Sequence, residues 1–176
     1  GCTVVEGKIG AALRFADGAH IALGKPDGQP LQDTPFTIMA WVRPEAPTGV
    51  IVARGGAYCG YALYLKEGKP AFGIHRERDG PAYIAADTAV LADGWVHLAG
   101  VADAAAIRLY VNGRLAAETP IPGLIPTTPG QGMEIGVDLG TSPAEITDAF
   151  TGVIDEVSVY DVALSPERLA AEAGRR

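Results

Sequence analysis

Ile107-Arg108-Leu109-Tyr110-Val111-Asn112-Gly113-Arg114-Leu115 is the stretch that decides the fold. Ile107, Leu109 and Val111 alternate with polar-tipped residues, the period of a half-buried strand. The run ends at Asn112-Gly113, a pair that accepts the two positive φ angles of a type I′ turn, so an antiparallel hairpin is predicted here. Outward from it the same alternation recurs in Ala11-Phe15, His20-Leu23, Phe36-Arg43, Val50-Ala53, Tyr61-Leu65, Pro70-His75, Ala82-Ala86, Trp95-Ala102, Met133-Val137 and Gly152-Tyr160. Gly, Pro, Asp or Asn clusters separate most of these, as in Lys66-Glu67-Gly68-Lys69-Pro70 and Asp103-Ala104-Ala105. Residues 119–132 hold Pro120, Pro122, Pro126 and Pro129 and read as a loop that crosses the sheet rim or changes sheets. Helical signals come only at the end: Ser165 as N-cap, Pro166 at the first helical position, Glu167 in the first turn, then about two turns ending near Gly174. The fold class is all-β, an antiparallel two-sheet β-sandwich of about twelve strands with one short C-terminal helix.

The chain of 176 residues is read as a single domain spanning 1–176. Hydrophobic residues make up 48% and charged ones 20%, and no apolar run approaches the roughly 20 residues of a membrane span. With 14 Lys and Arg against 21 Asp and Glu, the net charge of -7 repels phosphate backbones and anionic lipid, so neither nucleic acid nor membrane insertion is expected. Two cysteines, Cys2 and Cys59, are too few for a thiolate metal site and lack a reactive spacing. Two readings stand for them: a disulfide worth roughly 4 kcal/mol in an exported protein, or two unpaired small hydrophobes. The start at Gly1-Cys2-Thr3, without Met or signal peptide, reads as a processed or excised piece of something longer.

Five segments in order resemble the laminin-G-like group of concanavalin A-type jelly rolls, in its bacterial form. They are Gly7-Lys8-Ile9-Gly10-Ala11-Ala12-Leu13-Arg14-Phe15, Phe36-Thr37-Ile38-Met39-Ala40-Trp41-Val42-Arg43-Pro44, Gly94-Trp95-Val96-His97-Leu98-Ala99-Gly100-Val101, Leu109-Tyr110-Val111-Asn112-Gly113, and Phe150-Thr151-Gly152-Val153-Ile154-Asp155-Glu156-Val157-Ser158-Val159-Tyr160 leading into Ala163-Leu164-Ser165. The resemblance implies two antiparallel sheets face to face. It does not select among glycan binding, adhesion and passive spacing. Members begin with an extra strand before the Gly-Lys-x-Gly segment. Here only six residues precede Gly7, so that edge is expected to be missing or supplied by neighbouring sequence.

Glycosidases of the concanavalin type carry a Glu-x-Asp-x-x-Glu strand with acid and nucleophile on one face. Glu134-Ile135-Gly136-Val137-Asp138 has the wrong spacing, Glu145-Ile146-Thr147-Asp148 falls in a loop, and Asp155-Glu156 point to opposite faces. Ile74-His75-Arg76 only partly echoes an alginate-lyase-like strand, and no Gly-x-Ser-x-Gly surrounds Ser142, Ser158 or Ser165. His20, His75 and His97 share no metal-ligand spacing, and neither Gly55-Gly56 nor Gly130-Gln131-Gly132 leads from strand to helix as a phosphate cradle does. An enzyme, whether glycoside hydrolase or polysaccharide lyase, is the minor reading.

Asp155 shares strand parity with Val153, Val157 and Val159, so barring a bulge it faces the core and needs a partner: a cation, Arg14 or Arg43, or backbone amides. The resemblance implies a structural Ca²⁺ where the terminal strands meet, bound by Asp17 and Asp155 with backbone carbonyls. Trp41 and Trp95 read as core. Tyr58, Tyr61, Tyr64 and Tyr83 read as exposed, and Tyr58, Tyr61 and Tyr83 with His75, Arg76 and Arg78 have the mixture of rings and planar polar groups that binds sugars. The function expected is a non-catalytic carbohydrate-binding, adhesion or accessory module of a secreted or cell-surface protein, partnered by glycan and neighbouring domains, with a ligand-free spacer as the rival.

Overall fold

The computed structural model describes residues 1–25, 31–55, 58–140 and 148–175. The described residues form β1 (Thr3–Glu6), β2 (Ala11–Phe15), β3 (Ile21–Gly24), β4 (Phe36–Pro44), β5 (Gly49–Gly55), β6 (Gly60–Lys66), β7 (Lys69–His75), β8 (Ala82–Ala86), β9 (Val96–Ala102), β10 (Ala106–Val111), β11 (Arg114–Pro120), β12 (Met133–Ile135), β13 (Gly152–Tyr160) and α1 (Pro166–Ala173). One sheet has seven strands in the order β1-β2-β13-β4-β9-β10-β11, the other six in the order β3-β12-β5-β6-β7-β8. Strand pairing within both is antiparallel. The all-β sandwich expected from alternation is the observed fold.

The deciding hairpin forms as read. Asn112 and Gly113 have φ of 49° and 75°, the pair of positive angles that a type I′ turn needs. Gly113 is required twice over, because a Cβ there would stand 2.7 Å from Ala170 Cα in the helix. Asp103 makes the next turn, its Oδ1 accepting from the N–H groups of Ala105 at 2.8 Å and Ala106 at 3.0 Å. The expected 119–132 loop starts two residues later, because Thr119 and Pro120 still pair with Ile107 and Ala106 in β11; residues 121–132 carry the chain to β12 in the other sheet, and Ile121 and Ile125 plug into the interior on the way. Between the sheets lie Phe15, Phe36, Phe72, Phe150, Ile38 and Leu63, all at most 2% exposed and each worth about 2 kcal/mol of burial.

Three expectations change. The edge strand expected to be missing or supplied by neighbouring sequence is present as β1, whose Thr3, Val4, Val5 and Glu6 pair with Arg14, Leu13, Ala12 and Ala11. β12 ends at Ile135 rather than Val137, because Gly136, whose N–H still bonds Ile51 O at 2.9 Å, takes φ 90° and turns the chain out of extended geometry. Trp95 precedes β9 and is only half-buried, with Arg43 Cζ 5.3 Å from its ring centroid, whereas Trp41 is buried as expected.

The helix docks on the outer face of the seven-stranded sheet. Ser165 Oγ caps it by accepting from Arg168 N at 3.3 Å, and Leu169, fully buried, packs with Met39, Ala99, Val101 and Tyr110. Cys2 and Cys59 are both free, so the unpaired reading is the one realised. Cys59 Sγ donates to Thr127 O at 3.3 Å. Among the described residues no helix is long and apolar enough to cross a membrane.

Candidate functional site

Three segments meet at one end of the sandwich: the β5–β6 turn with Tyr58 and Cys59, the β7–β8 connection from His75 to Gly80, and the end of the 119–132 loop. Tyr58 is 59% exposed. Arg78 lies over its ring with Cζ 4.6 Å from the centroid, and Nη1 donates to the Tyr58 hydroxyl at 2.9 Å. Beside this pair is a hollow of about 210 Å³ lined by Tyr58, Cys59, Pro129, Gly130 and Gln131. The Tyr58 ring and the Gln131 amide border the hollow, with the Arg78 guanidinium beside them on the ring, and such groups can stack on and hydrogen-bond a polyol.

The other residues expected here do different work. Tyr61 is fully buried, packed at a tilt against Phe36 at 4.9 Å between centroids with its hydroxyl 3.9 Å from Met133 Sδ, and burial pushes its phenol above the usual range. Its expected place among the ligand contacts is therefore corrected. Tyr64 is buried too, among Val50, Ala53, Ala62 and Ala71 on the other face of the six-stranded sheet. Tyr83 is half-buried and packs against the core. Arg76 Nε donates to Leu124 O at 3.0 Å and ties down the proline-rich loop. His75 Nε2 donates to Gly80 O at 2.7 Å and closes the β7–β8 connection. Gln131 and Pro129 were missed, since nothing in a linear reading places residues 129–131 beside Tyr58.

Asp155 has found the third of its possible partners. Its register jumps from Asp155 opposite Trp41 to Ser158 opposite Met39, one residue too many, with Glu156 at φ 49° as the bulge. The bulge breaks the parity: Val157 and Val159 pack on the interior while Asp155 turns to the outer face. There Oδ2 accepts from Ile9 N at 3.0 Å and Oδ1 from Glu156 N at 2.9 Å. A Cβ on Gly7 would stand 2.6 Å from Oδ2, so the β1–β2 turn closes over the carboxylate only with glycine there.

This arrangement does not fit the expected Asp17–Asp155 calcium site. Phe15 faces Gly152 and Leu13 faces Ile154, which sets Asp155 level with Ala12, roughly 10 Å of strand from Phe15. Asp17 lies further on still, in a turn with φ 55°. Calcium ligands sit at about 2.4 Å, so one ion does not reach both. Among the described residues no group of three or more His, Cys, Asp or Glu converges on one point. Gly56, Ser142 and the Glu145-Ile146-Thr147 stretch lie outside the described residues.

No Asp or Glu is among the described residues that line the hollow. Glu156 is bonded to Arg175 at 3.2 Å, and Glu45 to Arg14 at 2.5 Å. Glu134 and Asp138 are buried away from the residues that line it.

Compared with known proteins, residues 15–170 match a laminin G profile of the concanavalin A-like lectin/glucanases superfamily. No curated protein matches the chain in sequence. Among solved structures it is similar to domain 4 of AbnA, a GH43 extracellular arabinanase from Geobacillus stearothermophilus, in complex with arabinotriose. The TM-score is 0.78 at 21% identity, over 98% of this chain and 81% of that one. The CBM40 of the Ruminococcus gnavus IT-sialidase, bound to alpha2,3 sialyllactose, gives 0.74 at 18% identity over 93% and 96% of the two chains. The binding domain of Paraclostridial Mosquitocidal Protein 1 gives 0.79 at 16% over 98% and 45%. At these identities the likeness establishes the shared fold.

Proposed function

The chain belongs to the concanavalin A-like lectin/glucanases superfamily, and from that membership we propose that it is a non-catalytic carbohydrate-binding module of a secreted or cell-surface protein, working beside neighbouring domains of the same polypeptide. The observation that carries the reading is the exposed Tyr58 ring, held by Arg78 over the hollow that Gln131 completes. Two of the similar structures are complexes with oligosaccharides, arabinotriose and sialyllactose, which supports a glycan as the ligand class.

The spacer reading draws support from the burial of Tyr61 and the half-burial of Tyr83, which remove two of three expected stacking rings. Tyr58 opposes it, since a spacer has no use for a tyrosine presented at 59% exposure under a guanidinium. A hydrolase or lyase would need acid and base opening onto a shared groove. Asp155 has both oxygens on backbone amides instead.

The test is a glycan array followed by affinity electrophoresis in plant and algal polysaccharides and sialylated glycans. The expected result is retardation by at least one polysaccharide, with Tyr58→Ala weakening it by about tenfold, or roughly 1.4 kcal/mol, and Tyr83→Ala by much less. No retardation by any glycan would overturn the reading in favour of the spacer.

A further inference from the structure

The charges around the Tyr58 hollow are unevenly placed. Residues 55–60 and 121–132, which supply two of the three segments at this rim, contain no Asp, Glu, Lys or Arg. The third segment holds Arg76-Glu77-Arg78-Asp79, and its two signs are arranged differently. Arg76 is turned onto the proline-rich loop, with Nε on Leu124 O at 3.0 Å, and Arg78 is turned onto the Tyr58 ring. The carboxylates do little to neutralise them. Glu77 folds over Gly80 of its own turn, where a Cβ would stand 2.8 Å from its Cγ. The Asp79 side chain is 93% exposed with Oδ2 4.0 Å from Arg78 Nε, an ion pair that water screens to little. Tyr58 Oη accepts from Arg78 Nη1 at 2.9 Å, which leaves the phenol proton free to donate. The Arg78 side chain is 61% exposed, and among the described residues one of its five N–H groups is engaged on the Tyr58 oxygen. A guanidinium fork and a phenol proton side by side, with no carboxylate lining the hollow, call for an acceptor that carries negative charge.

We infer that the ligand of this rim presents a single acidic sugar residue, its carboxylate or sulfate seated on Arg78 and the Tyr58 hydroxyl and its ring in the hollow against Gln131. The inference rests on the glycan reading above and names the ligand class within it. At about 210 Å³ the hollow falls below the roughly 300–1,000 Å³ of pockets that enclose a drug-sized ligand, so it takes one sugar residue at a chain end or branch. The net charge of -7 repels a polyanion as a whole, which favours one acidic residue on an otherwise neutral glycan.

The experiment is a chemical-shift titration with pairs of probes that differ in charge: 3′-sialyllactose and lactose, methyl glucuronide and methyl glucoside, galactose 6-sulfate and galactose. Expected is binding of at least one acidic member about tenfold or more tighter than its neutral twin, the pair itself showing whether carboxylate or sulfate is read. Arg78→Gln removes that difference and Arg78→Lys retains part of it. Both substitutions fall on an exposed side chain and leave the core untouched. Neutral twins that bind as tightly as acidic ones, or an acidic preference that survives Arg78→Gln, overturn the inference while the glycan reading stands. Binding of no probe here and of no glycan on the array overturns both.

Discussion

At His97 an imidazole is enclosed with its ring edge-on to Trp41 at 5.3 Å, its Nδ1 buried without a partner and Glu172 near enough to act on its charge. Burial lowers its pKa from 6.5 to about 4, against the weaker pull of Glu172. As pH falls, the unfolded chain takes up a proton near 6.5 but the folded chain not until about 4. The stability this residue supports is therefore complete above pH 6.5 and is lost progressively down to about 4, by on the order of 3 kcal/mol. Urea denaturation at stepped pH checks it: His97→Phe should flatten the stability difference between pH 7 and 4.5 relative to the unaltered chain. Parallel curves would show that His97 is not the group responsible. Residue-level reading succeeded where a side chain has a local partner and failed where the partner is distant. Asp155 was recognised as needing a partner, with backbone amides among the candidates, but of the two amides that supply it only that of Glu156 is local, and that of Ile9 comes from the opposite end of the chain. The burial of Tyr61 was legible, since it shares parity with the interior-facing Leu63 and Leu65.

The elements were read correctly wherever alternation was long or a turn was chemically marked, as at Asn112-Gly113 and Asp103. β1 escaped notice because Thr3-Val4-Val5-Glu6 is short and lies at a sheet edge, where Val4 is exposed and no alternation develops. The Asn112-Gly113 turn couples two elements, since it also seats the helix against Ala170. Gly113→Ala combines a disfavoured positive φ with a close approach to helix backbone and should cost roughly 2 kcal/mol, a fall of about 4 to 8 °C in melting temperature. Amide exchange in 166–173 should rise more than in β6 or β7. Uniform loss of protection would mean that the turn does not seat the helix.

At the scale of the whole molecule, the sandwich brings loops distant in sequence to one rim. The 119–132 loop was foreseen as the connection between sheets, yet its delivery of Gln131 to Tyr58 depends on which strands become neighbours. That depends on β12 inserting between β3 and β5, and only the assembled topology shows it. The same assembly sends β6 inward at Tyr61 and leaves one tyrosine of the predicted patch presented to solvent. The measurement that bears most directly on the central claim is a ¹⁵N chemical-shift titration of the chain with the glycan that retards it most. The account predicts perturbations centred on the amides of Tyr58, Cys59, Arg78, Gly130 and Gln131. Perturbations confined to other faces, or none at saturating glycan, would contradict it.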